Sequence, residues 1–257
     1  MNVNIGGLNI NYTVKGSGEL IVLLHGWGSN IELFAGLIDL LSKKYRVVAM
    51  DMPGFGKSEE PKEIWSVDDY ADFVLDFLKA YPSEKITFLG HSFGGRVIIK
   101  LMSRSGLPFT VDKIILVDSA GVRPKRTFKQ KLKVGFFKVL KRIYRIKAVQ
   151  KAAPELLNDW RARFGSSDYN SASPTMRQIL VKVINEDLTK YFSANKAETL
   201  LIWGRNDTET PLSDGQLMEK MMPNSGLVIM DNCGHYPFLE NPYVFHRVIS
   251  SFMNIKE

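Results

Sequence analysis

The chain has 257 residues, 45% of them hydrophobic, and a single cysteine, Cys233. That suits one domain with a full core, and it excludes an internal disulfide and any zinc site built on cysteine pairs. The net charge of +7 is unevenly placed: twelve of the 34 Lys and Arg lie in residues 123–151 with no Asp or Glu among them, and without them the chain is acidic.

No apolar run approaches the roughly 18–20 residues that span a bilayer. Met1-Asn2-Val3-Asn4 lacks the basic-then-apolar layout of a signal peptide, so a cytoplasmic protein is expected. Residues 3–5 and 8–14 alternate with period two around Gly6-Gly7 and read as a hairpin. Residues 20–24 are a continuous apolar strand that runs into His25-Gly26-Trp27-Gly28. Residues 31–43 have helical spacing at Leu33, Leu37, Leu40 and Leu41. The next strand, 45–50, is closed by Asp51-Met52-Pro53-Gly54-Phe55-Gly56-Lys57-Ser58. Ser66 with Asp69 three residues on reads as a helix cap, and Tyr70, Phe73, Val74 and Phe77 share one face behind it. Residues 86–89 form a short apolar strand that leads into Gly90-His91-Ser92-Phe93-Gly94-Gly95 and then a helix from Arg96. Residues 114–117 are the sixth strand.

Nearly all-apolar strands that alternate with helices predict a mostly parallel, doubly wound α/β sheet, with ligands beyond the carboxyl ends of its strands. From 121 to 197 the pattern breaks. Phe128, Leu132, Phe136, Val139, Leu140, Ile143 and Ile146 recur at helical spacing; residues 154–164 and 176–192 read as further helices, with a loop at 165–171. The expectation is a helical cap, 122–197, inserted after the sixth strand between two parts of one core, 1–121 and 198–257. The sheet resumes at 198–203. It is followed by Gly204-Arg205-Asn206-Asp207-Thr208-Glu209-Thr210-Pro211, a helix at 213–222, a strand at 227–230, then Cys233-Gly234-His235 and a closing helix at 241–253.

A lone Gly-x-Ser-x-Gly is a weak signal, because a glycine-rich turn with an N-capping serine has the same pattern. Its place between strand and helix adds meaning. Such a turn pushes the serine hydroxyl out at the sheet edge, and Gly90 and Gly94 let strand and helix close on each other. A serine hydroxyl is a poor nucleophile until a base takes its proton, and that base works best with a carboxylate holding its ring. In chain order Ser92, Asp207 and His235 each follow a predicted strand, so all three are expected at one edge of the sheet.

This layout resembles the α/β-hydrolase superfamily. The resemblance is carried by the His25–Gly28 and Asp51–Ser58 loops, the Ser92 turn, the Gly204…Asp207…Pro211 loop and Gly234-His235. It covers the core and does not reach the helical insertion, beyond its likeness to the lids such enzymes often carry. It implies Ser92 as nucleophile, His235 as base and then acid, and Asp207 as the orienting carboxylate. The backbone N–H groups of Trp27 and Phe93 would form an oxyanion hole, with no cofactor and no metal. The implied activity is cleavage of a carboxylic ester or related small apolar acyl compound through an acyl-enzyme. Hydrolysis of a carbon–carbon bond in a ring-cleavage diketone, or of a thioester, uses the same three residues and stays open, as does a non-enzymatic ligand-binding protein of this fold. The dehalogenases and epoxide hydrolases of the superfamily carry aspartate at the turn, so their ester mechanism is not expected.

Other residues compete for these roles. His91 adjoins Ser92 and diverges from it; His25 is expected to brace its loop; His246 falls inside the last helix. Asp118 follows the sixth strand, where some relatives place the acid, but the Gly-x-x-Asp-x-x-x-Pro context favours Asp207. Cys233 reads as small packing. Lys57-Ser58 lacks the spacing of a phosphate loop. Trp27, Phe93, Tyr236 and Phe238 are expected around an apolar acyl pocket. The basic segment 123–151 is either a solvated face of a lid helix or a face for an anionic partner: a membrane surface, a phosphorylated substrate or an acidic carrier protein. Nucleic acid is not expected, because Phe128, Phe136 and Phe137 fit a helical apolar stripe better than a stacking platform.

Overall fold

The computed structural model describes residues 1–124 and 167–256, with Gly135, Arg142 and Tyr144 between them. The helices expected at 128–146 and 154–164, and most of the basic segment, lie outside the described residues. Among the described residues there are eight strands: β1 (Asn2–Ile5), β2 (Leu8–Lys15), β3 (Leu20–Leu24), β4 (Arg46–Met50), β5 (Lys85–His91), β6 (Thr110–Val117), β7 (Glu198–Gly204) and β8 (Ser225–Met230). They form one sheet in the order β1-β2-β4-β3-β5-β6-β7-β8. β1 and β2 pair antiparallel, as do β2 and β4; every other pair is parallel.

Period two in the strands explains the layering. All five residues of β3 are buried, but Leu20, Val22 and Leu24 face one core while Ile21 and Leu23 face the other. On the first side lie α2 (Val67–Leu78), α3 (Phe93–Met102) and α6 (Leu212–Met221), which contribute Tyr70, Val97 and Met218. On the second lie α1 (Ala35–Leu41) and α8 (Pro242–Met253), which contribute Leu37, Phe245 and Ile249. This is the mostly parallel, doubly wound sheet that the apolar strands predict. Among the described residues no helix is long and apolar enough to cross a membrane.

The local signals also show where tertiary contacts take over. Ser66 and Asp69 form a reciprocal capping box at α2, and Tyr70, Phe73, Val74 and Phe77 are buried behind it. The helix expected at 31–43 divides into a 3-10 turn, Ile31–Phe34, and α1, because the Asn30 side chain caps Glu32 N–H at 2.8 Å and fully buried Phe34 plugs the core. Part of the loop expected at 165–171 is helical, as α4 (Ser167–Ser171). The single helix expected at 176–192 breaks into α5 (Pro174–Asn185), capped by Ser173, and a 3-10 stretch, Thr189–Ala194. The break is tertiary in origin. Arg96 Nη1 donates to the Glu186 carbonyl at 2.6 Å, and Leu188 N–H donates to Gly121 O at 2.9 Å. The apolar spacing carries across the break because Ile179, Val183, Leu188 and Phe192 all reach the same core.

The site edge depends on close approach of strand to helix at Gly90. A Cβ there would lie 2.6 Å from both Gly95 N and Ile98 Cδ1. Gly90→Ala is therefore expected to destabilise the fold by about 1–3 kcal/mol, the usual cost of forcing atoms into a packed core. Urea unfolding measures it.

Candidate active site

Ser92 stands between β5 and α3 at φ 49° and ψ −109°, a conformation sparsely populated by residues with a side chain. It is over-determined there. Its N–H donates to Val117 O at 3.0 Å, and its own carbonyl accepts from Ala120 N–H at 3.0 Å and Arg96 N–H at 3.3 Å. The Gly26 backbone comes close on the other side; a Cβ on Gly26 would lie 3.3 Å from Ser92 Cβ and 2.7 Å from His91 Nδ1.

Asp207 and His235 meet directly: Asp207 Oδ2 accepts from His235 Nδ1 at 2.8 Å. Thr210 Oγ1 donates to the same oxygen at 2.7 Å, while Oδ1 accepts from the N–H groups of Glu209 (2.8 Å) and Thr210 (3.1 Å). Burial works against the charge, but the hydrogen bonds from His235 and Thr210 overcome it and hold the carboxyl at about 2. The loop itself is tied down by Trp203, fully buried in β7, whose Nε1 donates to Thr210 O at 2.8 Å.

His235 is held from two sides. Glu240, at the end of α7 (Pro237–Glu240), accepts from Gly234 N–H at 2.6 Å and Tyr236 N–H at 3.0 Å. His91 Nε2 donates to the His235 carbonyl at 2.8 Å, which sets His235 beside the Ser92 turn. Burial, reinforced by the neighbouring His235, pushes His91 down to about 3, so it is a neutral structural ring. His25 is also neutral, held by burial at about 4. Its Nε2 accepts from Met52 N–H at 2.9 Å and its Nδ1 lies 2.7 Å from Gly26 O, so it clamps the Trp27 loop to the Asp51 loop.

Asp118 is fully buried at the end of β6, with φ 41°. Its Oδ1 accepts from Gly204 N–H at 2.9 Å. Its Oδ2 has no donor among the described residues, and a ligating atom from each of Asp118, Asp207 and His235 lies within 4.8 Å of the others. Two carboxylates cannot hydrogen-bond without a proton between them. Burial, and then the bond to Asp207, push Asp118 up to about 9. It thus stands at neutral pH as a carboxylic acid behind Asp207, and Asp207 is the carboxylate that holds His235.

Ser92, Trp27 and Phe93 line a cavity of about 660 Å³ with Arg96, Arg123, Asp168, Leu180, Val183, Ile184 and the 208–211 loop. Trp27 and Phe93 meet edge to face at 5.4 Å. The other two aromatics expected around the pocket do not line this cavity: Phe238 is buried against Phe34 and His91, and Tyr236 packs at the edge of the site on the rings of His91 and His235. His246 lies on α8 near Gly36, away from this site. Thr210, Glu240 and the supporting role of His91 escape a sequence reading, because their partners are backbone groups or residues far along the chain. Only Thr210, three residues after Asp207 in a turn-forming stretch, leaves a local trace.

With this geometry in place, comparisons with known proteins define the class. The sequence profile of the alpha/beta hydrolase fold family matches residues 19–242, and the chain belongs to that family. It is 26% identical to the pimeloyl-[acyl-carrier protein] methyl ester esterase of Nitrosomonas europaea, over 92% of this chain and 96% of that one. It is 28% identical to the enzyme of the same name from Aeromonas hydrophila, over 93% and 96%. Among solved structures it is similar to the meta-cleavage product hydrolase of Pseudomonas fluorescens IP01, at 26% identity and a TM-score of 0.73, covering 99% of this chain and 97% of that one.

The protonated Asp118 has a sign that can be measured. Between the ordinary carboxyl range near 3.8 and about 9 the folded chain keeps a proton that the unfolded chain releases, so stability falls as pH rises through that window, by at most about 1.4 kcal/mol per pH unit. Asp118→Asn keeps a donor toward Asp207 and has no proton to lose. Thermal unfolding at pH 5 and pH 8 should show the variant gaining on wild type at the higher pH; a constant difference would mean Asp118 is ionised.

Proposed function

We propose that this protein is a serine hydrolase that cleaves a carboxylic ester, or a related small acyl compound, through an acyl-enzyme. The observation that carries the reading is the His235–Asp207 hydrogen bond beside a strained serine turn that opens on a cavity. In this reading His235 Nε2 takes the Ser92 hydroxyl proton as Oγ attacks the carbonyl carbon. Asp207 fixes the ring and stabilises its charged form. The oxyanion is held by the backbone N–H groups of Phe93, at the start of α3, and Trp27; the helix dipole favours negative charge at that end. His235 then gives its proton to the departing alcohol. Water, deprotonated by the same ring, attacks the acyl-Ser92 ester and releases the acid. Segment 122–197 serves as a cap over the cavity between the two parts of the core, 1–121 and 198–257, and its basic stretch 123–151 faces an anionic partner or solvent.

A second reading is favoured by the likeness to a meta-cleavage product hydrolase: the bond cleaved is carbon–carbon, with the same three residues. Product analysis separates the two.

The primary test is labelling by a fluorophosphonate probe together with turnover of p-nitrophenyl esters of increasing chain length. Wild type is expected to label once and turn over. Ser92→Ala should do neither, and Asp207→Asn should lose about 10³–10⁴-fold in kcat. Labelling that persists in Ser92→Ala would reject the assignment.

A further inference from the structure

Arg96 has no direct ion pair among the described residues; the carboxylates of Glu186 and Asp187 act on it only from farther off. It is 2% exposed, lies on α3 four residues beyond Ser92, and lines the same cavity. A buried guanidinium is ordinarily paired. Here one nitrogen, Nη1, donates to the Glu186 carbonyl at 2.6 Å. The Glu186 carboxylate turns instead to Lys100 Nζ at 2.7 Å, and Lys100 also holds Asp68 at 2.8 Å. Among the described residues no carboxylate lies within ion-pair distance of Arg96, and Nε and Nη2 have no partner there. Neither nitrogen is among the sealed, partnerless atoms of the core, and Arg96 is one of the residues that line the cavity.

Nε and Nη2 are the side-on pair of a guanidinium, whose fixed fork matches the two oxygens of a carboxylate. Four residues of helix advance about 6 Å along the axis, and helical side chains lean toward the N-terminus, so Arg96 leans back toward Ser92. A second guanidinium, Arg123, lines the cavity as the chain leaves β6. The acids on its wall are Asp168, Glu209 and Asp214; burial raises Asp168 toward its neutral form.

We propose that Arg96 is the anchor for a free carboxylate on the substrate, so that the ester cleaved at Ser92 belongs to a short dicarboxylic half-ester or a similar acyl compound with an anionic end. This rests on the reading of Ser92 as nucleophile. The bland alternative is that Arg96 only caps the C-terminal end of α5 through Glu186.

The experiment compares monomethyl adipate with methyl hexanoate on wild type, Arg96→Met and Arg96→Lys, with adipate binding measured by calorimetry on the same proteins. Wild type is expected to prefer the anionic ester by about tenfold or more in kcat/KM, chiefly through KM. Arg96→Met should lower that ratio by roughly 10- to 100-fold, the scale of a hydrogen-bonded charge pair, and weaken adipate binding to match. Arg96→Lys keeps the charge without the fork and should fall between, which serves if Arg96→Met does not fold. An unchanged ratio in both variants, or a wild type that prefers methyl hexanoate, overturns the anchor. If wild type hydrolyses neither ester, the hydrolase reading falls on its own, and adipate binding that is lost in Arg96→Met still decides for the anchor.

Discussion

Ser92 occupies a backbone conformation that costs a residue with a side chain about 1–3 kcal/mol. The fold holds it there from every side. The β6 carbonyl of Val117 and the N–H of Ala120 grip its two backbone groups, the Gly26 backbone comes close to its Cβ, and the start of α3 is seated with no room for a Cβ at Gly94 against Leu24 O or at Gly95 against Ser119. Relaxing the serine would mean separating β5 from α3, at the centre of the larger core. The strain therefore rests on the doubly wound sheet itself, and the hydroxyl is presented at the sheet edge as a consequence of packing.

Around that turn the fold sorts its titratable groups by burial. His25 and His91 are neutral because the apolar interior will not accept their charge; His25 then bridges Met52 N–H and Gly26 O, and His91 donates to the His235 carbonyl. Asp118 is held neutral for the same reason. Asp207 differs because four hydrogen bonds converge on its two oxygens. The result is one ionised carboxylate against one histidine ring, with the buried neighbours His25, His91 and Asp118 held neutral. In the proposed mechanism this leaves Asp207 as the carboxylate that orients the ring beside Ser92.

Much of this was legible in the sequence, and the reason is local. β3 is readable because five apolar residues serve two cores on alternating sides. The α2 capping box is readable because both its partners lie within three residues. Ser92, Asp207 and His235 stand out because each lies in the loop that follows a parallel strand of the sheet. What escaped depends on distant partners. The helix break at Glu186 is set by Arg96, ninety residues earlier in the chain. The tether on His235 comes from His91, 144 residues away. Phe238 has the composition of a pocket residue, yet it is drawn behind the site by Phe34 and Phe245. The raised pKa of Asp118 comes from burial beside Asp207, 89 residues further along the chain.

The proposed mechanism requires that Ser92 become covalently acylated. The direct measurement is intact-protein mass spectrometry of enzyme mixed with a p-nitrophenyl ester and quenched in acid within milliseconds, followed by peptide mapping. A single added acyl group is expected on the peptide that contains Ser92, formed no more slowly than turnover and absent from Ser92→Ala. Turnover with no adduct at any quench time, or an adduct on another residue such as Cys233, would contradict it.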